Sequence, residues 1–373
     1  MQHRVWLSLG IILVLCHCSY CKWMDINNLK LRQEPTELGG PRIIIEYDIN
    51  EPNISPTTPA YVFIRYSGDA GDTWQLITNA ALRGNGHDIV KKAGHKEVVW
   101  WGTDQTSFND LVMVEIRVRA IAMAQVPAGK FAMKALPGGG RDESKTTRPD
   151  SDLPLYYIAK YETTISMYAD YLNEVGGDTM GWNRRMSNSN RCGIEQQSNN
   201  TYTVKPDRGD FPITYVSWYD AAAFLQWCGL KLPTEVQWEK ALRGGFYLDG
   251  DQPKQKPNPM PERHYPWGDE EPGAGGIWRC NCDGQEDGFE YTSPIGSFSK
   301  YNSPYGVCDL AGNVAEWTFD WYSTSYHAGL DGFRMVRGGS WMAVPVACDA
   351  ITGATQLPLK ESSIMGFRGV RAP

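Results

Sequence analysis

Basic charge is in short supply. In 373 residues, 36 Lys and Arg stand against 43 Asp and Glu, a formal net charge of −7. That balance provides no broad basic face to hold nucleic acid. Histidine is scarce too: His3, His17, His87, His95, His264 and His327 are the full set, with no His-x-x-x-His spacing. This excludes a helical two-histidine metal site. A Walker loop, a Gly-x-Ser-x-Gly elbow and a paired-glycine nucleotide turn are also missing. So are internal repeats with a period of about 20–50 residues. Beyond Val5 to Leu15, no apolar run approaches the length that crosses a bilayer. What is abundant is turn-forming and aromatic: 38 Gly, 23 Pro and 14 Trp. The composition is that of a folded, loop-rich protein with large aromatic anchors.

His3 and Arg4 precede the apolar run Val5 to Leu15, and Cys16 to Cys21 follow with small or polar residues. This order predicts an export signal over residues 1–21, cleaved between Cys18 and Lys22. The mature chain is then exported to a periplasm, a cell surface or the extracellular space, with no transmembrane segment. Leu15 before Cys16 is a poor match to lipoprotein processing. Six cysteines remain after the signal: Cys192, Cys228, Cys280, Cys282, Cys308 and Cys348. Export permits disulfides, and a bridge from Cys280 or Cys282 to Cys308 is expected. Asn53 and Asn199 begin glycosylation sequons, meaningful in a eukaryotic secretory pathway.

Residues 25–122 read as short strands separated by Gly, Pro and Asp clusters. Arg42 to Tyr47, Tyr61 to Tyr66, Glu97 to Trp101 and Val112 to Ala120 are the clearest, the last placing Val112, Val114, Ile116 and Val118 on one face. An immunoglobulin- or fibronectin-like β-sandwich is predicted. Within it, Ser67-Gly-Asp-Ala-Gly-Asp-Thr-Trp74 resembles the Asp-box hairpin, with Asp69 tying the turn, Gly71 relieving it and Trp74 packing beneath.

Residues 123–373 form a second region. Helices are predicted from Thr164 to Val175, after the capping box Ser217-Trp-Tyr-Asp220, and after Thr234-Glu-Val-Gln237. Beyond Arg243 the chain is turns and short strands. Six motifs then occur in order: Tyr215-Val-Ser-Trp-Tyr-Asp-Ala221; Leu232-Pro-Thr-Glu235 with Trp238-Glu239; Tyr265-Pro-Trp-Gly268; Asp309-Leu-Ala-Gly-Asn-Val-Ala-Glu-Trp317; Arg337-Gly-Gly-Ser-Trp341; and Gly366-Phe-Arg368. From Gln125 to Ala372 the chain resembles the formylglycine-generating enzyme (sulfatase-modifying factor) family. The resemblance implies an α+β, C-type-lectin-like fold of low regular content with structural calcium.

Calcium takes hard oxygen ligands on tight loops. The resemblance implies one site from Asn281, Cys282, Asp287 and Phe289, and another from Asp309, Gly312, Val314 and Glu316. Cys282, Phe289, Gly312 and Val314 would ligate through their carbonyls. The family's oxidase also holds Cu(I) between two cysteines four residues apart, shortly after Gly-Gly-Ser, to oxidise a sulfatase cysteine to formylglycine. Soft thiolates suit Cu(I). Here the second position is Cys348 and the first is Ala343, whose methyl group cannot ligate copper. The catalytic residues of an active member would be Cys348 and Ser340. The stretch Asp349 to Thr355 also lacks the family's arginines, which puts sulfatase recognition in doubt. Two disulfides of some animal members are replaced, at Leu225 with Gly369 and at Leu242 with Gly353.

Two functions follow. One is a non-canonical exported member that binds or assembles with a protein or glycan partner, Trp278, Trp317 and Trp341 being candidate pocket-lining aromatics. The other is a copper-dependent, oxygen-using oxidase acting on a sulfatase polypeptide. A sulfur placed near Cys348 in space would favour the second.

Overall fold

In the computed structural model the described residues are 2–8, 11–17, 23–34, 42–69, 71–101, 114–131, 133, 151–176, 181–188, 190–250, 255–322 and 332–373. They form two compact units, Met1–Met123 with Trp227–Gly229, and Ala124–Gln226 with Leu230–Pro373.

With one 3-10 turn at Asn79–Ala81, the first unit is built mainly of strands. In chain order these are β1 Gln2–Ser8, β2 Ile11–His17, β3 Ile26–Glu34, β4 Arg42–Ile49, β5 Ala60–Ser67, β6 Gln75–Leu76, β7 Leu82–Gly84, β8 Asp88–Val90, β9 Gly94–Trp101 and β10 Val114–Val126. One antiparallel sheet has the order β3-β4-β9-β7; in a second, β5 pairs with β10, β6 and β8. The backbones of β1 and β2, within the expected export signal, pair with each other, and β1 pairs with β10. The expected cleavage region lies outside the described residues, as does Val112.

Alternation builds this core. Ile45 pairs with Val98 on one side and Leu31 on the other. These pack in one apolar cluster with Val62, Ile64, Ile116 and Val118 of the second sheet. In β3 the period breaks: Ile26 and Leu29 both face inward because the register shifts between Asn27 and Lys30. Asn28, at φ +54°, takes up the extra residue, a conformation that Asn tolerates better than most side chains. β10 departs from one-face burial. Glu115, Arg117 and Arg119 are buried as well as Val114, Ile116 and Val118. The Arg117 guanidinium lies 3.7 Å over the Trp74 ring and that of Arg119 5.7 Å over Trp23, so the polar face is covered by aromatic side chains.

The Asp-box hairpin is tied as its residues require. Asp69 Oδ1 accepts from the Thr73 amide at 2.8 Å and Oδ2 from the Thr73 hydroxyl at 2.5 Å. The Ser67 hydroxyl donates to Asp69 at 2.7 Å and accepts from the Gly71 amide at 2.8 Å. Gly71 sits at φ +96°, where glycine carries no steric cost. The Thr73 and Ser67 hydroxyls draw the Asp69 carboxyl down to about 2.

The second unit mixes short strands with few helices. The elements are β11 Gly129–Phe131, β12 Ser151–Leu153, β13 Tyr156–Ala159, α1 Ile165–Val175, β14 Ile194–Gln196, β15 Tyr202–Val204, α2 Trp218–Cys228, α3 Glu235–Arg243, β16 Ala315–Trp321, β17 Arg334–Arg337, β18 Gly353–Gln356, β19 Met365–Gly366 and β20 Val370–Arg371. One sheet has the order β18-β17-β16-β19, with β16 and β19 parallel. β11/β12, β13/β20 and β14/β15 are antiparallel pairs. Thr164 caps α1, accepting from the Met167 amide at 3.2 Å. Ser217 and Asp220 exchange side-chain-to-backbone bonds of 3.1 and 2.8 Å at the start of α2. Thr234 and Gln237 form a reciprocal box on α3, which ends at Gly244. Where the resemblance replaces one family disulfide, a Cβ on Gly369 would lie 2.7 Å from Leu225. The two positions are neighbours here without sulfur.

Much of this unit is held by buried charge. Arg337, wholly buried, donates to Glu239 at 2.8 Å and Glu235 at 3.3 Å on α3, and to the Ala350 and Ile351 carbonyls. Arg243 pairs with Glu239 at 2.8 Å. Lys240 donates to the Pro127 and Gly129 carbonyls, each at 2.8 Å. The network ties α3 and β17 to the segment just after Cys348.

Candidate functional site

Three loops carry the expected site residues: 280–289, 309–316 and 338–348. They are stitched by backbone. The Asn313 amide donates to the Asn281 carbonyl at 2.8 Å, and the Gly312 amide to the Gly338 carbonyl at 2.8 Å. The Trp341 amide donates to the Asn313 carbonyl, and the Asp283 amide to the Ala343 carbonyl, both at 2.9 Å. A Cβ on Gly312 would fall 2.0 Å from the Asn281 carbonyl oxygen, so that close approach requires glycine.

The hub is Asn313, which the sequence reading passed over. Its amide donates to Glu162 at 2.8 Å; its oxygen accepts from the Ser293 amide at 2.9 Å and from Asn281 at 3.1 Å. Its place beside Gly312, inside the Asp309-to-Glu316 run, was the available signal.

The first expected calcium loop has a donor suited to a hard cation. Asn281 is buried and its Nδ2 is satisfied by the Tyr291 carbonyl at 2.8 Å, while no hydrogen-bond donor reaches its Oδ1. Asp287 accepts from the Cys282 amide at 2.8 Å and the Phe289 amide at 2.9 Å; burial pushes its carboxyl up. In the second loop, Asp309 accepts from the Gly296 amide at 2.6 Å. Glu316 is gripped by Arg368, with both contacts at 2.7 Å, and accepts from the Trp238 indole at 2.9 Å. Glu162, another residue missed from sequence, lies in the same pocket of charge. Burial, then Asp309, pushes its carboxyl well above the ordinary range, with Glu316 adding to the effect and Arg368 opposing it. Three carboxylates thus surround one guanidinium.

The third loop holds the thiol position. Cys348 is fully buried, its Sγ 3.9 Å from the Ser340 carbonyl and 4.0 Å from the Val344 carbonyl. Gly339, at φ +72°, lies directly beneath: a Cβ there would be 2.8 Å from Cys348 Sγ. Ser340 is buried, and its hydroxyl accepts from the Met342 amide at 3.3 Å. Cys280, Cys282 and Cys348 pack in one buried cluster with Ala311, edged by Ala343, Trp267 and Trp278. Hydrogen bonding to the thiols of Cys282 and Cys348, more than burial, pushes the Cys280 thiol well up.

This arrangement corrects the expected disulfide. All six cysteines from Cys192 onward are free thiols. Cys280 and Cys282 face Cys348, while Cys308 sits apart, its thiol pushed up to about 12 by burial. Of the candidate pocket-lining aromatics, Trp317 is a core residue whose indole donates to the Val216 carbonyl at 3.1 Å, and Trp278 borders the thiols. Outside the cluster, Met342, Val344 and Val346 are each more than half exposed, forming an apolar rim on the segment leading to Cys348.

The fold and these loops define a mixed α/β domain whose irregular connections, not its helices or strands, carry the site. Residues 110–373 match the Sulfatase-modifying factor enzyme 1-like domain, and the chain belongs to that family. It is 35% identical over 182 residues to a formylglycine-generating enzyme of Streptomyces coelicolor, covering 43% of this chain and about half, 52%, of that protein. It is 29% identical over 253 residues to the inactive Cα-formylglycine-generating enzyme 2 of Bos taurus, covering 60% and 77%. Among solved structures, CarF aligns over 67% of this chain and 98% of its own, at 21% identity and a TM-score of 0.48. PvdO from Pseudomonas aeruginosa aligns over 67% and 94%, at 20% identity and a TM-score of 0.47. Among the described residues no helix is long and apolar enough to cross a membrane.

Proposed function

We propose that the chain is an exported, non-canonical member of this family, with a β-sandwich ahead of a C-type-lectin-like domain that serves binding or assembly with a protein or glycan partner. One observation carries the reading. At the first position of the family's thiol pair stands Ala343, whose methyl packs against the cluster that holds Cys348. Ser340 spends its hydroxyl on the Met342 amide, a structural use. Calcium at the two stitched loops would rigidify the binding face. The unpartnered Asn281 Oδ1 supports the first site.

A second reading is favoured by the two extra thiols beside Cys348: copper-dependent oxidation of a sulfatase cysteine. A bound Cu(I) would supply the oxygen chemistry, and Cys348 would hold it. A mass-spectrometric turnover assay separates the two. The protein is incubated with Cu(I), oxygen, a reductant and a peptide carrying Cys-x-Pro-x-Arg, beside Ala343→Cys and Cys348→Ala. The binding reading expects no aldehyde from the natural chain. Aldehyde formation that Cys348→Ala abolishes would replace it with the oxidase.

A further inference from the structure

The family's thiol pair lies within one segment, and half of that pair is missing here. The structure brings sulfur back from elsewhere in the chain. The Asp283 amide donates to the Ala343 carbonyl at 2.9 Å, which lays the 280–283 segment alongside the altered position. From that segment Cys280 packs in the same buried cluster as Cys348 and Cys282. Packed with it are Ala311, Ala343, Trp267 and Trp278.

We propose that Cys280 replaces the thiol absent at position 343, so that Cys280 and Cys348, from two separate segments, form a buried two-thiolate site for Cu(I). The donor set selects the ion. Thiolates are soft and favour monovalent copper over hard cations. Structural zinc takes four ligands, and among the described residues no group of three or more His, Cys, Asp or Glu is assembled to hold a metal. An ion that is content with two sulfurs fits; zinc does not. Cys282 is the neighbouring thiol, with its amide committed to Asp287.

This inference rests on the second, copper-binding reading of the site, and copper retention and peptide turnover are read separately so that either can fail alone. The test titrates the anaerobically reduced full chain with Cu(I) against a chromophoric copper chelator, with copper-edge X-ray absorption on the loaded sample. The expected result is one Cu(I) per chain, bound by two sulfurs. Cys348→Ser and Cys280→Ser should each weaken binding by at least about 100-fold, beyond the 10–100-fold typical of residues that only support a ligand. Cys282→Ser should change it by less than about tenfold. Adding Ala343→Cys to Cys280→Ser should restore binding by rebuilding the pair within one segment, which also shows that the variant is folded. Failure of the reduced natural chain to retain Cu(I) would overturn the proposal. So would loss of copper in Cys282→Ser but not Cys280→Ser, or a four-coordinate site.

Discussion

The two units of this chain reach stability by different means. In the first, paired strands alternate side chains into an apolar cluster, and Ile45, Val98 and Trp100 are at most 1% exposed. In the second, long irregular loops leave backbone carbonyls without a ladder, and buried cations collect them. Arg337 takes Ala350 and Ile351, Lys240 takes Pro127 and Gly129, and Arg368 takes Ala159 and Cys308. Each arginine also answers a buried carboxylate. A unit with little regular structure must satisfy its polar backbone some other way, and side chains with several donors do so here.

The sharpest way to break this comparison is Arg337→Met. It removes the guanidinium that bridges Glu235 and Glu239 and should cost about 3–5 kcal/mol, read as early loss of hydrogen-exchange protection on α3 during urea unfolding. A cost below about 1 kcal/mol would mean that charge does not hold the second unit. Next comes Ile45→Ala, expected to cost about 3 kcal/mol through the lost transfer term and the cavity left behind. Its signature is insensitivity to salt and pH, measured by protection of the β4 amides. The smallest effect belongs to the Asp-box turn. The Asp69 carboxyl is depressed in the folded hairpin, so its contribution is full above the ordinary carboxylate value and is lost as pH falls towards about 2. The Thr73 amide resonance should shift through that window and stay still in Asp69→Asn. A pH-independent Thr73 in the natural chain would remove the carboxylate from the turn.

The same contrast explains what was legible in the sequence. Strands such as Arg42–Ile49 could be read from β-branched and aromatic runs, and the helix starts from Thr164, Ser217 and Thr234, because those signals are local. The departures came from tertiary context. β10 buries Arg117 because Trp74 covers it, which periodicity cannot express. The loops beyond Arg243 were legible only through motifs. The family resemblance named Asn281 and Asp309 but passed over Glu162, which reaches Asn313 and the Val314 amide from 151 and 152 residues away. The expected bridge from Cys280 or Cys282 to Cys308 failed for a similar reason: spacing along the chain says nothing about which loop folds against which.

The distribution of sulfur has a practical consequence. From Lys22 to Met123 the sequence contains no cysteine. Cys192, Cys280, Cys282, Cys308 and Cys348 are all buried in the second unit. Buried thiols are inert to alkylation until the structure opens around them. The native chain therefore carries its own stopwatch: the rate at which these five positions gain an alkyl mass tag times the opening of the second unit, while Cys228, grouped with the strand unit, reports on that unit separately.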